Sequence, residues 1–195
     1  MRSVCVFCGS SFGNRDEYRQ MALLLGTELA ARHVRLIYGG SRLGLMGVVA
    51  DACLAAGGTV TGVIPQAMVD KEVAHTGLTE LHVVNSMHQR KALMAEKSEA
   101  FIALPGGFGT LEEFFEVLTW TQLGLQKKAC GVLNVLGYFD ALVGMTDRAV
   151  DDGFLPAEHR KLLRVEIDPC RLLDSFEQFK PPVVNKWIGL TKEAL

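Results

Sequence analysis

The stretch F-I-A-L-P-G-G-F-G-T-L-E-E, residues 101–113, has the pattern of a strand that runs through a glycine loop into a helix. Its first four residues are apolar, a proline and three glycines follow, and two glutamates end it. This pattern predicts a strand over 101–104 and a helix over 111–123. A strand, a loop and a helix in that order are half of a βαβ unit, which builds parallel sheets.

The rest of the chain repeats this alternation. The β-type runs predict further strands over 4–7, 35–38, 59–64, 81–84, 129–133 and 163–167. Helical spacing predicts helices over 16–32, 45–56, 86–99, 139–150 and 170–179, with a loop and a short helix over 66–79. We therefore expect an α/β fold, a single Rossmann-like doubly wound domain with a mainly parallel sheet and helices on both faces. The domain is predicted to span 1–180, with a C-terminal tail over 181–195.

Composition excludes several classes of protein. The 195 residues correspond to one domain of ordinary size. Lys and Arg number 20 against 22 Asp and Glu, a net charge of −2, so we expect no nucleic-acid partner. Five cysteines are an odd, scattered set, which favours a reducing, cytoplasmic location over a disulfide framework. No run approaches the about 18 apolar residues of a membrane span, so no membrane partner is expected.

Three strand exits are rich in glycine or serine: residues 8–11, 39–47 and 106–109. In a parallel sheet these exits share one edge, where ligands bind at the topological switch point. The pattern is neither the dinucleotide fingerprint nor the P-loop, because the glycine spacing and the Gly-Lys-Ser/Thr element are lacking. Helix starts after such loops favour an anion, so Ser10, Gly39 and Gly40 are candidate contacts to a phosphate. For the 39–47 loop alone, tight packing between strand and helix is an equal alternative.

Glu113 has two interpretations. The spacing Thr110-x-x-Glu113 fits a capping box, in which Glu113 merely bonds back to the start of its helix. However, Glu112 and Glu116 lie beside it, which is more negative charge than capping needs, and a phosphate nearby would require a cation. The segment M-H-Q-R-K, residues 87–91, supplies two cations in the first turns of a helix, where the helix dipole disfavours them. We expect this segment next to the glycine loop; the alternative is an ordinary solvated pair.

Residues 105–113 together with 87–91 resemble the lonely-guy family of cytokinin riboside 5′-monophosphate phosphoribohydrolases. Residues 4–11, 38–47 and 133–139 are similar to that family as well. The family's Met-x-x-Arg-Lys and Pro-Gly-Gly-x-Gly-Thr-x-x-Glu elements imply that Arg90 and Glu113 are catalytic. The resemblance implies substrate contacts for Glu72, Lys91, Gly107, Phe108, Gly109, Thr110, Leu111, Glu112 and Thr119. It further implies a homodimer with sites near the interface.

The resemblance implies hydrolysis of the N-glycosidic bond of adenine-type nucleoside 5′-monophosphates to the free base and ribose 5-phosphate. Plain AMP as the main substrate remains open, and so does a non-catalytic nucleotide sensor, which would need the loops but not Glu113. An amino-acid decarboxylase would need pyridoxal phosphate and a Schiff-base lysine, and no lysine stands in a marked context. The Cys and His spacings match no metal motif, so we expect no metal and no cofactor. Cys5 and Cys8, three apart on a strand, are predicted to be buried thiols.

Overall fold

The computed structural model describes residues 1–71 and 73–180. Its strands are β1 (Ser3–Phe7), β2 (Arg35–Tyr38), β3 (Val60–Pro65), β4 (Glu80–Val84), β5 (Ala100–Ala103), β6 (Ala129–Leu133) and β7 (Leu163–Glu166). Its α-helices are α1 (Asp16–Ala31), α2 (Gly44–Ala55), α3 (Gln66–Val69), α4 (Met87–Glu96), α5 (Phe108–Gln122), α6 (Asp140–Asp151), α7 (Ala157–Arg160) and α8 (Pro169–Glu177). No helix among these residues is long and apolar enough to cross a membrane.

The seven strands form one sheet in the order β4-β3-β2-β1-β5-β6-β7, and every neighbouring pair is parallel. Alternate residues of β1 face opposite sides: Val4 and Val6 join a core that α1, α2 and α8 cover, and Cys5 and Phe7 join a second core under α4 and α5. The α/β prediction with helices on both faces is thereby confirmed. The predicted tail, 181–195, lies outside the described residues.

The topological switch lies between β1 and β5. The chain proceeds from β1 outward to β4 and then returns to place β5 on the other side of β1. The loops that follow these strands contact each other: the Gly9 amide donates to the Pro105 carbonyl at 3.0 Å, and the Leu45 amide donates to the Gly9 carbonyl at 3.0 Å. The three predicted loops therefore form one continuous surface beyond the carboxyl ends of the strands.

The 87–91 segment reaches the glycine loop from a distant strand. The strand before it, β4, is the edge strand and lies four places from β5. From there, α4 packs across β3 on its way back to β5. This crossing brings the side chain of Arg90 over the centre of the sheet edge.

The buried-thiol prediction holds. Cys5 and Cys8 are both buried and belong to the cores on opposite faces of the sheet. Burial raises the pKa of each thiol. The chemistry of a redox pair, which needs accessible thiolates of lowered pKa, is therefore disfavoured here.

Candidate functional site

An open cleft of about 290 Å³ lies over the carboxyl ends of the central strands. The glycine loops form one side of it, and the first turns of α2, α3 and α4 form the other. Its lining residues are Cys8, Gly9, Ser10, Met46, Met68, Met87, Arg90, Gly107, Gly109, Thr110, Glu112 and Glu113. Residues from five separate segments thus meet at one place, as expected for a ligand site at a switch point.

A buried ion pair forms the charged centre of the cleft. The Arg90 Nη1 donates to Glu113 Oε1 at 2.8 Å, and the Arg90 Nε donates to the Val63 carbonyl at 3.1 Å. The side chains of Arg90 and Glu113 are only 8% and 11% exposed. Two hydrogen bonds in different directions hold the guanidinium in one orientation, so its charge is fixed in place before any ligand binds.

Gly39 makes room for this guanidinium. A Cβ atom at Gly39 would overlap Arg90 Nη2 and would also touch the Met46 methyl group. The glycine at the exit of β2 is therefore a requirement of close approach between the backbone and the Arg90 side chain. The sequence interpretation placed Gly39 among the phosphate contacts. In the structure, the absence of a side chain at Gly39 leaves the space that the Arg90 guanidinium occupies.

Glu113 does not cap its helix. The capping alternative needs Thr110 at the N-cap, but α5 begins at Phe108 with Gly107 at the N-cap and no side chain bonded there. Thr110 is consequently a residue of the first turn, and Glu113 is a full turn further along with its carboxylate on Arg90. Burial raises the pKa of the Glu113 carboxyl above its ordinary value, although Arg90 opposes this effect. A buried carboxylate with a perturbed pKa in a cleft is typical of a functional group.

The N-terminus of α5 is open towards the cleft. No side chain caps it, so the first amides of the helix are left to a ligand. Gly106 allows this loop to fold tightly, because a Cβ there would overlap the Thr110 hydroxyl and come within 2.8 Å of the Gly9 amide nitrogen. From behind, the Tyr138 hydroxyl donates to the Gly106 carbonyl at 2.6 Å. Open amides at a helix start bind anions such as phosphate.

Lys91 pairs with the remaining carboxylates. Its Nζ donates to Glu112 and, at 3.1 Å, to Glu116. The bond to Glu112 raises the pKa of the Lys91 ammonium. The crowded glutamates of α5 thus each have a cation from α4: Arg90 for Glu113 and Lys91 for the other two.

The other predicted contacts are spread more widely. Ser10, Gly107, Gly109 and Glu112 line the cleft. Phe108 is 92% exposed, and Leu111 packs against the core beneath α5. Gly40 lies against Ile64 and Leu81 instead of the cleft.

Two further predicted substrate contacts are not among the described residues that line the cleft. Thr119 is exposed and lines a separate, narrow cavity of about 90 Å³ between α5 and α7. Glu72 lies outside the described residues.

Three methionines that line the cleft were not among the predicted site residues. Met46 also belongs to the buried core on one face of the sheet, whereas Met87 is exposed. Met46, Met68 and Met87 line the cleft. A signal was available, since each of them lies in the first turn of a helix that follows a strand exit.

Among residues 1–71 and 73–180, no group of three or more His, Cys, Asp and Glu is arranged to hold a metal ion.

A second cavity of about 340 Å³ adjoins the cleft and shares Gly9, Ser10 and Gly107 with it. Its wall includes Tyr18 and Tyr138, whose rings meet edge to face at 5.7 Å between centroids.

Comparisons with known proteins identify the relatives of this chain. A family model described as "Possible lysine decarboxylase" matches residues 46–176. A protein of Oryza sativa subsp. japonica named "Probable cytokinin riboside 5′-monophosphate phosphoribohydrolase" is 53% identical over 92% of this chain and 79% of its own. An Arabidopsis thaliana protein named "Cytokinin riboside 5′-monophosphate phosphoribohydrolase" is 45% identical over 92% of this chain and 84% of its own.

Among solved structures, the molybdenum cofactor carrier protein of Chlamydomonas reinhardtii is similar, with a TM-score of 0.67 and 21% identity. The match covers 91% of this chain and 96% of that one. At this level of identity, the likeness shows the shared fold alone.

The close approach at Gly39 leads to a testable prediction. In Gly39→Ala the new methyl group displaces the Arg90 guanidinium from its bonds to Glu113 and the Val63 carbonyl, so the thermal unfolding midpoint should fall by several degrees. Hydrolase activity should fall at least tenfold, because small displacements of a positioned group in a site are costly. Gly144→Ala is the matched control, since a Cβ there meets open space in α6. Equal activity of the two variants would show that the position of Arg90 is unimportant.

Proposed function

The chain belongs to the lonely-guy family of cytokinin riboside 5′-monophosphate phosphoribohydrolases, and we propose that it hydrolyses the N-glycosidic bond of adenine-type nucleoside 5′-monophosphates. The products are the free base and ribose 5-phosphate. The observation that carries the proposal is the carboxylate of Glu113, which is buried in the cleft against Arg90 and is not used as a helix cap.

The substrate phosphate is proposed to bind at the open N-terminus of α5. The amides of its first turn and the neighbouring Ser10 offer hydrogen bonds, and the helix dipole favours the negative charge. Because Glu113 lies one turn further along the same helix, a phosphate held here places the ribose beside the carboxylate. Binding energy from the phosphate then positions the reacting bond.

The reaction passes through a state in which the ribose carries positive charge. The Glu113 carboxylate stabilises that charge and accepts a proton from the attacking water. As the bond between C1′ and the base nitrogen breaks, its electron pair leaves with the base, which takes up one proton in exchange for the proton that Glu113 accepts from water, and the water oxygen bonds to C1′. Arg90, fixed by Glu113 and the Val63 carbonyl, assists the departing base by holding positive charge beside it.

The alternatives are less well supported. A nucleotide sensor needs the open loops but gives no reason for the buried Arg90–Glu113 pair. A lysine decarboxylase needs an amine of lowered pKa to form a Schiff base. Lys91, the lysine beside the cleft, instead bonds to Glu112 and Glu116, and its pKa is raised. Plain AMP as the main substrate is a difference of specificity within the same reaction.

We also propose that the chain forms a homodimer through the side of α5 and α6. Apolar side chains of these segments are exposed, among them Phe115 on α5, Met145 on α6 and, just after α6, Phe154, which is 86% exposed. Thr119, the predicted contact that lies outside the cleft of its own chain, faces the same side. A dimer across this face would offer Thr119 to the partner's site.

The free cysteines favour a reducing compartment as the location of the enzyme. All five cysteines are free, and four of them are buried. Free thiols persist where the surroundings are reducing, so we propose a cytoplasmic enzyme. We propose that residues 1–180 form the catalytic domain; residues 181–195 lie outside those that the structure describes. The substrate is a small molecule, and the enzyme works without a metal or a cofactor.

The test is a comparison of AMP, isopentenyladenosine 5′-monophosphate and adenosine as substrates. Free base should appear from both nucleotides. Adenosine should be hydrolysed at least a hundredfold more slowly, because it lacks the group that the α5 N-terminus binds. Chromatography of the free base gives the rates. Equal rates with adenosine and AMP would contradict the assignment of the phosphate site.

A further inference from the structure

Tyr138 lies in the turn between β6 and α6, and its hydroxyl donates to the Gly106 carbonyl at 2.6 Å. It lines the second cavity together with Gly106 and Gly107, and Gly107 also lines the cleft. The loop that opens α5 therefore stands between Tyr138 and the cleft. Tyr138 thus bonds to the loop from the side that the proposed substrate does not occupy.

The turn that carries Tyr138 holds one conformation. Leu136 has a φ of 52°, in the left-handed region that residues other than glycine rarely adopt, and Gly137 follows with a φ of 73°. The Asn134 side chain closes the turn by accepting from the Phe139 amide at 2.7 Å. Backbone strain of this kind persists only where the surrounding structure enforces it, and it is concentrated at functional sites. The turn therefore presents Tyr138 at a fixed place.

Two aromatic neighbours fix the ring of Tyr138. The ring meets Tyr18 of α1 edge to face at 5.7 Å between centroids, and it meets Phe139 edge to face at 5.0 Å. Phe139 is itself buried in the core. Edge-to-face pairs are a favoured arrangement of aromatic rings, so they restrict the directions in which the hydroxyl can point. The hydroxyl is therefore held on the Gly106 carbonyl by its own turn and by its ring contacts.

The bond to Gly106 also fixes the amide that follows it. The Gly106 carbonyl and the Gly107 N–H belong to one planar trans peptide, so they point in opposite directions. With the carbonyl held by Tyr138, the N–H of Gly107, the N-cap of α5, is directed away from Tyr138. We propose that Tyr138 is a positioning residue, which orients the 106–107 peptide so that the amides at the start of α5 meet the substrate phosphate. This inference rests on the proposed function, in which the phosphate binds there.

The test separates the hydroxyl from the ring and the phosphate from the rest of the nucleotide. Glu113→Gln serves as the background, so that ligands bind without turnover, and calorimetry gives the Kd of AMP and of adenosine. Tyr138→Phe keeps the ring and its two aromatic contacts but removes the hydroxyl. Tyr18→Phe is the matched control, because it removes a hydroxyl from the neighbouring ring, whose contact with Tyr138 is between the rings. Thermal unfolding checks that every variant is folded.

We expect Tyr138→Phe to raise the Kd of AMP about three- to tenfold, the loss that one hydrogen bond typically carries. The Kd of adenosine should not change, because adenosine lacks the phosphate, and Tyr18→Phe should change neither value. An unchanged Kd of AMP would make Tyr138 a packing residue and overturn the inference. Equal weakening of AMP and adenosine would overturn it too, because that result would reflect a general disturbance of the cleft.

A failure of the proposed function gives a different result. If the background protein bound AMP no more tightly than adenosine, the phosphate site itself would be wrong, and the role of Tyr138 would be contradicted with it. A wild-type protein that binds AMP but releases no base would contradict the proposed hydrolysis, whereas the effect of Tyr138→Phe on the two Kd values would still support the positioning role.

Discussion

Glu113→Gln should lower turnover of nucleoside monophosphates by about 10²-fold or more while nucleotide binding is retained. Gln keeps the shape of the side chain and can still accept the hydrogen bond from Arg90, but it carries no charge to stabilise the cationic ribose and cannot accept a proton from water. Loss of a positioned acid–base group typically costs about 10²–10⁴ in rate. Base release measured by chromatography and nucleotide Kd measured by calorimetry separate the two effects.

The stability of this variant relative to the wild type should depend on pH. Burial raises the pKa of Glu113, so ionisation of this carboxyl costs the folded state more than the unfolded state. Above the raised pKa, the neutral Gln avoids this cost but leaves the buried Arg90 without a counter-charge. As the pH falls through that pKa, Glu113 becomes protonated, the wild type loses the same counter-charge, and the two proteins should converge in stability. Thermal unfolding across this pH range measures the change.

Glu99→Gln is the matched control at the opposite edge of the sheet. Glu99 also pairs with an arginine, Arg2, at 3.0 Å, but the Arg2 backbone amide, which donates to Glu99 at 2.8 Å, and the Arg2 side chain lower its pKa. The ionised form is therefore stabilising, and Gln should slightly reduce stability above the ordinary pKa of a glutamate, with no effect on base release. If Glu113→Gln were fully active, Glu113 would be a structural residue and the mechanism would be wrong.

Arg90→Ala should combine a loss of activity with a loss of stability. Removing one member of a buried ion pair leaves an uncompensated charge, which typically costs about 3–5 kcal/mol. The Val63 carbonyl also loses its donor. We expect kcat/KM to fall by about 10²-fold or more, with weaker nucleotide binding, since a fixed positive charge is removed from the cleft. Steady-state kinetics and urea unfolding provide both numbers.

The pH dependence of kcat/KM tests whether Arg90 acts on the pKa of Glu113. Arg90 lowers the pKa of Glu113, so without Arg90 that pKa rises further. The acid limb of kcat/KM should then move to higher pH in Arg90→Ala. Arg90→Lys keeps the charge but not the two-directional hydrogen bonding, so its acid limb should stay near that of the wild type although its rate falls. An acid limb that is identical in all three proteins would show that Arg90 does not act on Glu113.

The sequence predicted the architecture well because strand and helix periodicity is local. β2 and β6 have the predicted bounds, and the parallel sheet follows from the alternation. Two short features were missed, α7 and the 3-10 turn Val135–Gly137, since segments of three or four residues are too short to show a period.

The site was predicted less completely, because it depends on contacts between distant segments. The loops could be placed on one edge from topology alone. The capping alternative for Glu113 could not be removed, since the start of α5 depends on whether Gly107 or Thr110 takes the N-cap. The closeness of Gly39 to Arg90 depends on how α4 crosses β3. No local sequence pattern indicates such a crossing.

The most direct test of the central claim is a single-turnover experiment with wild-type enzyme in excess over isopentenyladenosine 5′-monophosphate. The account predicts that free isopentenyladenine and ribose 5-phosphate appear together, in equal amounts and at one rate. Recovery of bound but intact nucleotide would show a sensor instead of an enzyme. Release of inorganic phosphate and nucleoside would show that the cleft cleaves a different bond, and either result would contradict the account.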